Sequence, residues 1–425
     1  MGFLRRRLVT AALTANAIRP LTGFRFGIPA FVAGWLSGEL APHLLALTAA
    51  DTAAQLARGR RDPRALAVAG ASAAGLAFLV AQARRAGDVA EDALAEALGP
   101  GYRDQLETQP TPADVAAGWR PLVNPFRLTR QARAGFVVER DIAYNDRGRR
   151  GRLDVYRPAG GVPDGGAPVL VQVHGGAWTV GSKERQALPL MRHLASRGWV
   201  CVAVNYRLAP RHPFPAQVID VKQAIAWVKE HIGEHGGDPS YVAITGGSAG
   251  GHLCALAALT AGDRSWQPGF EDADTSVRCA VPHYGVYDFA GATGLRSVEL
   301  MRDRFLGPQV LRTRFSEEPD VFEAASPILR ITADAPDFFV LHGTVDTMVG
   351  VDQAREFVRR LRDRSDHSVV YAELPGAQHA FDTFASIRST QVVRAIDRYL
   401  HWHWNTWRAG LDHDDQVDDP QPRDD

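Results

Sequence analysis

The sequence predicts an α/β fold: a mostly parallel central sheet with helices on both faces, preceded by an N-terminal helical segment. Three observations predict it. From about residue 136, short runs rich in Val and Ile alternate with helix-period stretches, the signature of strand–helix–strand units. Those runs are almost continuously apolar, as strands buried on both faces are. Before residue 86 the chain is instead long, Ala-rich and nearly free of acids.

The expected strands are FVVERDIAYN (136–145), RLDVYRP (152–158), PVLVQVHGG (168–176), WVCVAVNYR (199–207), YVAITGGS (241–248), VRCAVPHYGVYD (277–288), DFFVLHG (337–343) and SVVYAELPG (368–376). Helical patterns fall near 183–197, 216–234, 249–261, 350–364 and 384–403. This places a catalytic-type α/β domain over 136–408, with an insertion at about 289–334 long enough to form a cap. Residues 86–135 read as a linker with cap helices. Residues 409–425 read as a disordered acidic tail, because the last fifteen residues hold seven Asp and one Arg and almost nothing to bury.

The N-terminal unit, 1–85, carries eleven Arg against three acids. Residues 65–83 run 19 positions without a charge, enough to cross a bilayer core at about 1.5 Å per residue. The stretch 26–50 is also apolar, but Glu39 and His43 interrupt it. A carboxylate at mid-membrane costs roughly 2.5–3.5 kcal/mol on insertion scales, so this second span is weaker. The expectation is a membrane-associated helical hairpin acting through residues 26–83; the alternative is an Ala-rich helix pair packed on the catalytic domain. If both segments span, the distribution of Arg around them favours a cytoplasmic α/β domain.

The chain has 425 residues, 45% of them apolar, and a formal net charge of zero, so nothing points to a nucleic-acid partner. Its three cysteines, Cys201, Cys254 and Cys279, sit in apolar runs and read as buried thiols. The 14 histidines show no metal-ligand spacing, and no dinucleotide or phosphate loop is present, so neither metal nor cofactor is expected.

Chemistry concentrates at Gly246-Gly247-Ser248-Ala249-Gly250-Gly251, between the strand YVAIT and the helical run HLCALAALTA. A G-x-S-x-G turn in that context pushes a serine hydroxyl out over the sheet edge. By itself the motif is common. His174-Gly175-Gly176-Ala177-Trp178, ending the strand PVLVQV, adds what acyl transfer needs: backbone N–H groups able to hold a developing oxyanion. Gly175, Gly176 and Ala249 are the expected donors. Serine also needs a base and a group to orient it, in the chain order Ser, acid, His, each just past a strand. Asp346 and His379 satisfy both conditions. His283, His342 and His367, and the acids Asp337 and Asp382, fail on order or on sheet edge. Trp178, Tyr284 and Tyr287 are candidates for lining a substrate pocket.

Together HGGAW (174–178), NYRLAPRHPFPA (205–216), GGSAGG (246–251), HGTVD (342–346) and QHAFD (378–382) resemble the hormone-sensitive-lipase-like family of α/β-hydrolases, in its bacterial carboxylesterase and acetyl-esterase-like branch. The resemblance spans about residues 136–405. It implies an α/β-hydrolase fold and hydrolysis of a small-molecule or lipid ester, with Ser248 as nucleophile, His379 as base and Asp346 as its orienter. Two positions depart from the family: Ala177 replaces a third glycine, and Gly247 stands where an Asp is usual. GGSAGG is closer to feruloyl-esterase-like and formamidase-like relatives, which leaves an amidase as the alternative reading. A non-catalytic membrane-anchored binding protein is a further alternative, though one with no need of all five catalytic positions.

Overall fold

The computed structural model describes residues 1–23, 25–107, 135–162 and 165–417. Most of the expected linker, 108–134, lies outside them.

Four helices precede the sheet: α1 (Phe3–Ile18), α2 (Gly27–Glu39), α3 (Ala41–Ala57) and α4 (Pro63–Leu98). Asp62 starts α4 by accepting the N–H groups of Arg64 and Ala65 at 3.0 and 3.4 Å, and Pro63 fills the first helical position, where no donor is needed. Two expectations change here. The apolar stretch 26–50 is not one helix, because α2 and α3 meet at Leu40 with a 74° bend. Nor is residue 85 a boundary, since α4 runs straight through it. Ala86, Ala90, Ala93 and Leu94 repeat at helical spacing and are buried, so the second half of α4 packs on the catalytic domain. Its first half packs against α1 and α3.

All eight expected strands form: β1 (Phe136–Ala143), β2 (Arg152–Pro158), β3 (Ala167–Val173), β4 (Val200–Val204), β5 (Gly237–Gly247), β6 (Cys279–His283), β7 (Asp337–Gly343) and β8 (Val369–Leu374). They make one sheet in the order β1-β2-β4-β3-β5-β6-β7-β8. The pairs β1–β2 and β2–β4 are antiparallel, and the rest are parallel. Every residue of β3 and β4 is buried. Each buried Val there contributes roughly 1.5–3 kcal/mol. The helices α5 (Leu188–Ala195), α6 (Ala216–His231) and α7 (Ala249–Leu259) cross over between strands. The insertion between β6 and β7 holds α8 (Arg296–Met301), π-helical turns over Arg302–Leu311 and α9 (Pro319–Ala324). The last elements are α10 (Asp352–Arg364) and α11 (Ile387–Val417). The end of α11 corrects the expected disorder from residue 409, because the helix continues to Val417. Cys201, Cys254 and Cys279 are buried free thiols.

Because β3 to β8 run parallel, their C-terminal ends gather on one edge. The loops after β3, β5, β7 and β8 therefore meet there. These are the loops that hold Gly175, Ser248, Asp346 and His379.

Candidate active site

Ser248 joins β5 to α7 with φ 58° and ψ −120°, a conformation that L-residues avoid unless surroundings impose it. The surroundings are glycines. A Cβ on Gly246 would lie 2.4 Å from the Gly250 carbonyl, and one on Gly250 would lie 2.1 Å from the Val173 carbonyl. Only glycine lets the turn close this tightly. The Ser248 N–H donates to the His283 carbonyl at 3.0 Å, which fastens the turn to β6.

The three expected catalytic side chains come together. Ser248 Oγ is 2.9 Å from His379 Nε2, and His379 Nδ1 is 2.7 Å from Asp346 Oδ2. The other Asp346 oxygen accepts the N–H groups of Met348 and Val349, both at 2.8 Å. Burial works to raise the Asp346 pKa, but the attraction of His379 and hydrogen bonds from His342 and His379 outweigh it. The carboxyl is held well below the usual carboxylate range, so it is ionised whenever the site is folded at neutral pH. An ionised Asp346 fixes the proton on His379 Nδ1 and leaves Nε2 free to accept from serine. His342, excluded as a base on sequence, is buried behind the carboxylate: its Nε2 lies 2.9 Å from the Val349 carbonyl and 3.4 Å from Asp346.

Sequence reasoning missed Gln378. Its side-chain oxygen accepts from the N–H of Thr347 at 2.8 Å and of His379 at 2.9 Å, so one carboxamide ties the acid loop to the base loop. Its place beside His379 in QHAFD was the available signal.

The glycine loop after β3 lies against the nucleophile. A Cβ on Gly175 would fall 3.2 Å from Ser248 Cβ. Its N–H, however, donates to the side-chain oxygen of Gln186, so in this structure that expected donor is occupied. The N–H of Gly176 makes no such bond among the described residues. That of Ala249 opens α7, where a helix offers its own N–H groups no acceptor. The loop is braced from beneath. His174 is fully buried, its ring stacks on Tyr206 at 4.2 Å, and burial lowers its pKa to about 4. Tyr206 donates to the His174 carbonyl at 2.8 Å, and Arg207 is held by Asp220 through several hydrogen bonds. The NYR segment is thus scaffold for the loop.

The three pocket candidates separate. Tyr284 belongs to the site: its ring lies 4.6 Å from that of His379. Its hydroxyl donates to Asp382, which also binds His283 Nδ1 at 2.7 Å. The rejected base and the rejected acid therefore pair with each other. Tyr284 also explains Gly247, because a Cβ at 247 would sit 2.6 Å from its hydroxyl. Trp178 and Tyr287 do not line the site. Trp178 is 2% exposed, donates to His252 Nδ1 at 3.1 Å and packs edge-on against Phe289. Tyr287 is fully buried and stacks on Phe357 at 4.2 Å. Both are core residues: Trp178 packs on Phe289 at the start of the insertion and Tyr287 on Phe357 of α10.

The site also draws on the N-terminal unit. From α2, Phe31 meets the His379 ring edge-on at 5.8 Å, and the Gly27 carbonyl accepts from Thr347 at 3.1 Å. Glu39, read from sequence as an interruption of a membrane span, is buried against Arg388 and Ser386 at the start of α11.

Residues 153–361 match the BD-FAE family model. The chain is 44% identical over 420 residues to "Probable carboxylic ester hydrolase LipM" of Mycobacterium tuberculosis, covering 96% of this chain and 95% of that one. It is 44% identical to "Esterase LipQ" of the same organism over 371 residues, covering 87% and 83%. Among solved structures it is similar to the propionate-bound esterase Est2 of Thermogutta terrifontis, with 26% identity, a TM-score of 0.52 and coverage of 65% of this chain and 96% of that one. On relatives matched over nearly their whole length, and on the fold and motifs described, the chain belongs to the hormone-sensitive-lipase-like esterases of the α/β-hydrolase fold.

Proposed function

We propose that this protein hydrolyses carboxylic esters through a covalent acyl-enzyme on Ser248. The observation that carries the reading is the continuous hydrogen-bonded chain Asp346–His379–Ser248, at 2.7 and 2.9 Å. His379 Nε2 takes the serine proton as Oγ attacks the ester carbonyl, and Asp346 stabilises the imidazolium that forms. The carbonyl oxygen becomes an alkoxide held by the N–H groups of Gly176 and Ala249. That of Gly175 joins them when Gln186 withdraws. His379 then protonates the departing alcohol, and water, deprotonated by the same ring, releases the acid.

The test is turnover of a chromogenic short-chain ester, with a matched amide alongside. Ser248→Ala is expected to lower kcat at least about 10⁴-fold, as loss of a triad nucleophile does. Labelling by a fluorophosphonate should disappear in the same variant. Ester turnover that survives in Ser248→Ala overturns the proposal. A chain-length series of esters then defines the acyl group.

The N-terminal unit supports membrane association. The α4 helix is 36 residues long, and only 28% of its most apolar stretch is buried. Favouring a bundle lying on the surface over a spanning hairpin are the 74° break at Leu40 and the pairing of Arg6 and Arg7 with Asp51 between α1 and α3. The excess of Arg in this unit suits a surface of anionic lipid, as the cytoplasmic leaflet presents.

A further inference from the structure

The α2 helix has no charged residue between Arg25 and Glu39, and Glu39 is buried. A helix apolar all round belongs in a core or in lipid. Only one side of α2 has a core. That side carries Ala30, Gly34 and Ser37, and at its flank Phe31 and Trp35 pack on His379 and on Phe384 at 5.8 and 5.4 Å. The other side carries Ile28, Val32 and Leu36, spaced four apart and therefore in one row, at 64%, 42% and 37% exposure. Phe26, 54% exposed, extends the row at the helix start. Burying such side chains is worth roughly 1.5–3 kcal/mol each, so leaving four of them in water is a cost that needs an explanation.

The charges beside the row say what covers it. Arg19 and Arg25 flank it in the turn between α1 and α2. Both are exposed, and neither forms an ion pair among the described residues. A protein partner would need carboxylates placed to meet them. An anionic bilayer supplies negative headgroups around an apolar interior, which is the arrangement of this edge.

We propose that the edge from Arg19 to Leu36 docks on an anionic lipid surface and sets the active site against it. Docking stands independently of the serine-esterase reading; the choice of substrate after docking rests on it. Phe31, whose ring meets that of His379, lies about a quarter turn around the helix from the row that enters the lipid, so docking brings the site to the edge of the lipid. The site then takes esters carried in the lipid phase in preference to dissolved ones.

The experiment is co-sedimentation of the full chain with vesicles of phosphatidylglycerol and phosphatidylcholine in equal parts, or of phosphatidylcholine alone. Wild type should bind the mixed vesicles more tightly. The double variant Ile28→Asp, Val32→Asp should lose at least tenfold in partition. Arg19→Gln with Arg25→Gln should lose about 25-fold on the mixed vesicles, at roughly fivefold per cation, and little on phosphatidylcholine. The Ile28, Val32 variant should keep wild-type turnover of a soluble ester while turnover of a vesicle-borne ester falls in proportion to binding. Fluorophosphonate labelling of Ser248 in every variant checks that the domain is folded. Sedimentation of the Ile28, Val32 variant at the wild-type level overturns the proposal, because another surface, α4 above all, then holds the membrane. Normal sedimentation of a wild type that no fluorophosphonate labels sinks the esterase reading and leaves docking standing.

Discussion

Glu39 offers the sharpest test of how the N-terminal unit is joined to the catalytic domain. Its side chain is 1% exposed and that of Arg388 is fully buried, and the two are paired across 349 residues of sequence. Ser386 donates to the second Glu39 oxygen, and Arg388 also donates to the Pro375 carbonyl at 3.2 Å. Removing one member of a buried pair strands the other as an uncompensated charge, at about 3–5 kcal/mol. Glu39→Leu does this to Arg388. With about 2.1 cal/mol/K of unfolding entropy per residue, 425 residues give roughly 0.9 kcal/mol/K, so the cost corresponds to a fall in Tm of about 3–6 °C. The double variant Glu39→Leu, Arg388→Leu removes both charges. It leaves Ser386 and the Pro375 carbonyl without these partners, at about 1 kcal/mol each, and should recover at least half of the loss. Calorimetry of wild type, both single variants and the double variant reads the cycle. A Glu39→Leu fall below 1 °C, or a double variant no better than the worse single, would refute the claim that this pair locks α2 to α11.

Two more outcomes are expected of the catalytic domain. Asp346→Asn keeps an acceptor for the Met348 and Val349 amides but points N–H groups at His379 Nδ1. That forces the proton onto Nε2, facing serine, and kcat on a chromogenic ester should fall about 10⁴-fold. Stability should also fall with acid. His252 is fully buried, accepts from Trp178 at Nδ1 and lies 2.8 Å from the Ala325 carbonyl at Nε2, so it is held neutral; burial lowers its pKa to about 3. In the unfolded chain it binds a proton near pH 6.5, so the unfolded state holds more protons between those values. The stabilising contribution is complete above about pH 6.5 and is lost as pH falls toward 3. At pH 4.5 this amounts to about 3 kcal/mol, which a urea midpoint measured at pH 4.5 and 7 would register. Equal midpoints would contradict the buried neutral assignment.

Within the catalytic domain, what was legible in the sequence was whatever local chemistry demands. Eight apolar runs became eight strands because a run of Val and Ile between turns has few other places to go. Ser248, Asp346 and His379 were found by order and by position after strands, and the parallel sheet brings those strand ends together. The rest depends on contacts that leave no local trace. Trp178 and Tyr287 were indistinguishable from pocket residues, because a large aromatic near a site reads the same whether it faces a cavity or the core. The engagement of the Gly175 amide by Gln186 depends on how the loop after β3 folds back, eleven residues on.

The N-terminal unit shows why composition alone could not choose between membrane hairpin and packed helices: the two are not exclusive on one helix. Small apolar side chains let a helix pack closely while keeping it apolar enough for lipid, and α2 and α4 each have a packed face and an exposed apolar one. What resolves them is the destination of the few polar groups. A carboxylate in a spanning segment needs a partner within the segment or its neighbours in the membrane. Glu39 finds Arg388, which lies nine residues beyond the catalytic histidine. The residue that weakened the case for a transmembrane span is the one that joins α2 to the active-site domain. With that end of the helix fixed, the exposed row of Ile28, Val32 and Leu36 is held in a defined orientation beside the site. An anchor that only tethered the enzyme would need no such contact with His379 and its loop. One that aims the site at its substrate would.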